Sequence, residues 1–91
     1  MHAVAVSVKI DEGKEDLARK ELESQVVPMV QQAPGVVAGY WMEPGGGFGY
    51  SLVLFNSEES ANGAAEMARS APTPEGVTIQ NVQVMEVVAS F

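Results

Sequence analysis

The chain has 91 residues, carries 12 acidic against 5 basic side chains for a net charge of −7, is 46% hydrophobic and contains no cysteine. A domain this small buries only about 60–65% of its unfolded surface, so without a disulfide or thiolate zinc its stability must come from packing or from a partner subunit. The acid excess repels both the phosphate backbone of nucleic acids and anionic membrane surfaces, so neither is an expected partner.

The pattern divides residues 1–91 into six elements of a single domain. Val4, Val6, Val8 and Ile10 alternate with Ala3, Ala5, Ser7 and Lys9, the two-residue period of a strand over residues 3–10. Because the second face is small rather than charged, either both faces are covered or one looks into a cavity. From Lys14 to Gln32 the spacing changes to steps of three and four through Leu22, Val26, Met29, Val30 and Ala33, which predicts an amphipathic helix. Asp11 is its expected N-cap, Pro34-Gly35 its stop, and Pro28 should kink it or restart it as a short final turn.

Val36–Glu43 and Phe48–Phe55 read as two strands of a hairpin joined by Pro44-Gly45-Gly46-Gly47, where glycines tolerate positive φ. Asn56, with Glu59 three residues on, has the spacing of a capping box and predicts a helix over residues 57–70. Its inner face carries Ala61, Ala64, Ala65 and Ala68, small enough to lie close on a sheet. Pro72 and Pro74 end it. The last strand, from Val77 to about Val88, slips in its alternation between Ile79 and Val82, which calls for a bulge.

The order β-α-β-β-α-β, with right-handed crossovers, gives an α+β ferredoxin-like sandwich: a four-stranded antiparallel sheet in the spatial order 4-1-3-2 with two helices on one face. The other face of the sheet is left open. Either Val37, Trp41, Val53 and Phe55 or their neighbours of opposite parity must occupy it, an apolar patch of several hundred Å². Pairing of two such sheets hides that patch, so a homodimer through the open face is expected. No apolar run nears the roughly 18 residues that span a bilayer. Met1-His2-Ala3-Val4 lacks the basic start of a signal peptide, and a cytoplasmic location is the expectation.

The stretch "PGVVAGYW" running into a glycine-rich hairpin, followed by "FGYSLVLFNSEESANGAAEMA", resembles the dimeric α+β barrel superfamily, and within it the antibiotic-biosynthesis-monooxygenase-like proteins. The likeness covers nearly the whole chain. It implies a homodimer whose two sheets form a barrel, in a family that includes cofactor-independent oxygenases of aromatic polyketides and haem-degrading enzymes. The resemblance implies a pocket set of an asparagine, a tryptophan and an arginine or histidine. Here Trp41 is the one tryptophan, Asn56 is assigned to capping, and Asn62 and Asn81 have no evident partner.

The candidate ligand-binding residues are Trp41, Tyr40 and Tyr50, whose rings with polar tips can shape a pocket for a flat aromatic molecule; the plainer reading is core or interface packing. No catalytic residue is assigned. His2, the one imidazole, reads as a residue of the surface at the chain start; as the one available axial ligand it puts haem last among possible ligands. Without cysteine, a metal site would rest on Asp11, Glu12, Glu15 and Asp16, which read as a solvated helix start, so neither metal nor cofactor is expected. Glu43 and Glu86 would serve as bases if buried, and read as strand-end residues in water. Gly45-Gly46-Gly47 opens no helix and is followed by no lysine, so it reads as a turn and not a phosphate loop. Two functions remain: a cofactor-independent monooxygenase acting on an aromatic or polyketide-like molecule, or a non-catalytic small-ligand-binding or accessory dimer of the same fold.

Overall fold

The computed structural model describes residues 1–91. In chain order the elements are β1 (His2–Ile10), α1 (Glu15–Glu21), a π-helical segment (Leu22–Val26), α2 (Val27–Gln31), β2 (Val36–Gly45), β3 (Phe48–Phe55), α3 (Glu58–Ser70) and β4 (Val77–Glu86). The strands form one antiparallel sheet in the order β2-β3-β1-β4, the ferredoxin-like topology expected from the alternation of elements.

The valine face of β1 and the Val53/Phe55 face of β3 are continuous, because Val4 lies opposite Val53 on one side and Val84 on the other. Against this face α3 settles through Ala61 and Ala65, both fully buried, and with Val4, Val53 and Phe55 they form the core. The small-residue face of β1 is therefore the open one. It carries the exposed Tyr40, Met42, Phe48, Tyr50 and Met85, so of the two parities left open by the sequence the second is the real one. Trp41, Val53 and Phe55 turn toward the helices, and Val37 sits exposed at a register shift between Val36 and Ala38. In β4 the shift falls where the alternation slips. Gln80 is the additional residue between the Val8/Ile79 and Ser7/Asn81 pairs, and it keeps Val77, Ile79, Val82 and Val84 on one side. The strand ends at Glu86 rather than near Val88, although the Val87 N–H still donates to the Met1 carbonyl at 2.9 Å.

Pro28 breaks the first helix in the manner expected of a residue with no N–H and a ring that collides with the preceding turn. The turn before it widens. The Val27 N–H donates to the Leu22 carbonyl, five residues back, and Pro28 then occupies the first turn of α2, where its missing donor costs nothing. Both expected caps move. Asp11 does not cap α1, which starts after Lys14 without a side-chain cap; instead the Asp11 N–H donates to the Gly76 carbonyl at 2.8 Å, drawing it to the end of the sheet. At α3 the cap is Ser57, whose Oγ accepts from the Ser60 N–H at 3.1 Å, and Asn56 is held outside the helix by its N–H donating to the Gly35 carbonyl at 2.8 Å.

Candidate functional site

Between sheet and helices lies a cavity of about 750 Å³, within the range of small-molecule sites. Its existence follows from side-chain sizes. Gly49 and Ser51, at the centre of β3 on the helix side, leave the floor low, while the π turn presents Leu22 and Val26, and α2 Met29, above it. None of these three is buried, and Met29 is 56% exposed. On the opposite side α3 contributes Ala64, Met67 and Ala68, and Pro72 and Pro74 of the following loop close one end.

The polar groups on the lining are few. Arg19 of α1 and Glu43 of β2 face each other across the boundary, with Arg19 Nη2 donating to Glu43 Oε2 at 3.0 Å and Nε to Oε1 at 3.2 Å. This forked pair, spanning helix and edge strand, fixes both partners in plane. Hydrogen bonding to the carboxylate, and then its charge, raises the Arg19 pKa, so the guanidinium is a permanent cation already matched by an anion. Ser51, Gln32 and Thr73 supply uncharged groups.

The sequence-predicted trio does not form one cluster. Trp41 lines the cavity with its strand neighbour across the ladder, Ser51. Tyr40 points to the open face and is 55% exposed; Tyr50 borders the cavity, but its strand parity and 46% exposure put its ring on the open face too. Asn62 and Asn81 are exposed and away from the lining, so no asparagine joins Trp41. His2 is not a frayed surface residue: it is paired with Phe55 and Glu86 within the sheet, its Nε2 lies 3.3 Å from Glu58 Oε2, and its Nδ1 is buried without a partner. It lies outside the cavity lining. Glu43 belongs to the ion pair and Glu86 is exposed. No group of three or more histidine, aspartate or glutamate side chains is gathered as a metal site, and no helix is long and apolar enough to cross a membrane.

Sequence reasoning missed Arg19, because its partner is 24 positions away and nothing local marks the pairing. It also missed the hollow. The available signal was a pair of small residues, Gly49 and Ser51, on the strand face opposite the bulkiest helix stripe.

No family model and no curated protein matches the chain. Solved structures do. The haem degrader MhuD from Mycobacterium tuberculosis, with two haems bound in its active site, is 19% identical, with 100% of this chain and 99% of that one covered at a TM-score of 0.69. A dimeric ferredoxin-like protein from an uncultured marine organism is 11% identical over 100% and 98% of the two chains, at a TM-score of 0.70. The monooxygenase ActVA-Orf6 of Streptomyces coelicolor, in complex with nanaomycin D, is 13% identical over 99% and 89%, at 0.63. At these identities the likeness is one of fold: the chain shares with these proteins a ferredoxin-like α+β sandwich over its whole length.

Haem does not fit this lining. Haem iron is held by imidazole or thiolate, or by a thioether or phenolate in special cases. The single histidine is outside the cavity, cysteine is absent, the thioethers of Met29, Met42 and Met67 have no histidine to work beside, and the Tyr50 phenol stands on the open face of the sheet. The one cation on the lining that could meet the carboxylates of such a ligand, Arg19, is bound to Glu43.

Proposed function

We propose that this protein is a homodimer, each subunit of which holds a flat, uncharged aromatic molecule of polyketide-like shape between its sheet and its helices. The observation that carries the reading is the cavity of about 750 Å³, walled mainly by aliphatic side chains and one indole. Such a wall favours a ring system on dispersion and desolvation alone, and a few hydroxyl and amide groups orient it. The neutral character of the ligand follows from charge. With Arg19 matched by Glu43, a net charge of −7 on the chain and Glu59 also on the lining, an anion would meet no free cation. The dimer is supported by the exposed Tyr40, Met42, Phe48, Tyr50 and Met85 on the open face, and by the fold shared with a dimeric ferredoxin-like protein.

N-phenyl-1-naphthylamine, a neutral fluorescent probe, tests the site directly. Saturable binding with a stoichiometry of one per chain, competed by neutral naphthoquinones and not by naphthalene carboxylates, is expected; no saturable binding overturns the reading. Light scattering at micromolar concentration is expected to give the mass of two chains, and a stable single-chain species overturns the dimer.

Cofactor-independent monooxygenation of the bound ring is the second reading, favoured by the likeness to ActVA-Orf6, which was bound to nanaomycin D. Oxygenation without a cofactor needs a substrate that is itself the electron donor, such as a quinol, and a group that takes up its hydroxyl proton. The lining carboxylate nearest the indole along β2, Glu43, has both of its oxygens accepting hydrogen bonds from the Arg19 guanidinium, so neither is free to meet a substrate hydroxyl. Binding therefore stands ahead of catalysis. Oxygen uptake with 1,4-naphthoquinol above the buffer rate, reduced by Trp41→Phe, is the outcome that puts catalysis first; uptake equal to buffer removes it and leaves binding standing.

A further inference from the structure

Trp41 borders two spaces. One is the cavity already described. The other is a smaller groove of about 350 Å³ on the outer side of the β2 edge, bounded by Val27 and Gln31 of α2 and by Val36 to Gly39. Only two residues, Trp41 and Val30, belong to both, so the indole and one valine make the wall between them. β2 is the last strand on its side of the sheet, and beyond it the groove opens to solvent.

What sets the indole in that wall is the residue two positions earlier. Gly39 and Trp41 lie on the same side of β2, opposite Val53 and Ser51. A Cβ at position 39 would sit 3.0 Å from both Cη2 and Cζ3 of Trp41, well inside the roughly 3.5–4.0 Å of ordinary carbon contact. The ring thus folds back along its own strand and lies over bare backbone. Gly39 is not one of the glycines with positive φ, so main-chain conformation does not require glycine there. A glycine within a strand otherwise weakens it, and often marks a close approach.

We infer that Gly39 is a positioning residue: by leaving room for the Trp41 indole to lie along β2, it holds the ring as the wall that ends the ligand cavity at the sheet edge. For its ligand this rests on the small-molecule reading above; for its geometry it does not. The length available to a bound ring system is then set by this glycine and tryptophan together. A methyl group at position 39 obliges the indole to give by a few tenths of an ångström, inward on the cavity or outward toward the groove.

Trp41 is the chain's one tryptophan, so its emission reports on the wall without a label. In the full chain, Gly39→Ala is expected to change acrylamide quenching of Trp41 by about twofold or more, and to weaken N-phenyl-1-naphthylamine binding roughly three- to tenfold, the scale of a ring forced off its rotamer. The decisive variant is Gly39→Ala combined with Trp41→Phe. The shorter phenyl ring does not reach over position 39, so the double variant should bind the probe as Trp41→Phe alone does. Unchanged quenching and binding in Gly39→Ala overturn the inference, as does an equal loss in both tryptophan and phenylalanine backgrounds. If Gly39→Ala alone does not fold, recovery of folding in the double variant supports the clash, and failure of both overturns it. If the unaltered protein takes up no probe, the small-molecule reading fails, while the quenching comparison still decides the role of Gly39.

Discussion

The two helical regions cover the same sheet and do so in opposite ways. α3 is continuous, capped by Ser57, and buries Ala61 and Ala65 completely against β1 and β3. The first helical region is broken into α1, a widened turn and α2, has no side-chain cap, and buries only Ala18. Small side chains let one helix descend to contact distance. Leucine, valine and methionine hold the other off a floor of glycine and serine, and the gap becomes the cavity. The two regions thus divide the work: α3 seats on the sheet through Ala61 and Ala65 and walls the cavity only with Ala64, Met67 and Ala68, whereas the first helical region stands off the sheet and opens the space.

That division is open to attack by substitution, with stability measured at fixed chain concentration because the proposed dimer would add to it. Phe55→Ala, at a side chain 1% exposed beneath α3, should cost about 3–5 kcal/mol by urea denaturation. Ala65→Leu forces a larger side chain into a fully buried contact and should cost about 1–3 kcal/mol; a neutral result would mean that α3 is not seated as described. Ser57→Ala removes the cap of α3 and should cost about 1 kcal/mol. Leu22→Ala, on the loose side, should cost under about 1 kcal/mol, since it enlarges an existing space instead of making a new one. Its effect should appear in probe affinity, and a large loss of stability with unchanged affinity would reverse the assignment of roles.

Much of this was legible from pattern alone. Period-two alternation identified the strands, the alanines identified the face of α3, and the slip after Ile79 located the bulge at Gln80. The caps were displaced because their choice is not local. Asn56 and Ser57 are both good capping types, and the matter is decided by Gly35, against which Asn56 is tied by its N–H. Asp11 is likewise claimed by Gly76, 65 positions on. The three aromatic candidates do not converge, for a reason visible in the sequence itself: Tyr40 and Trp41 are consecutive in a strand and must point to opposite faces. The Arg19–Glu43 pair and the Gly39–Trp41 shelf needed coordinates, since each depends on a side-chain path that periodicity does not encode.

The order β2-β3-β1-β4 also governs how the molecule comes into being. β1, translated ahead of every other element, lies between β3 and β4, the first of which begins 46 positions after His2 and the second 75. Only the β2-β3 hairpin can close early. β1 can join it once Phe55 is released, but β4 must wait for nearly the whole domain, and such long-separation pairing is slow. Until β4 arrives, the β1 flank that it will cover is an unpaired strand edge, open to pairing with another chain.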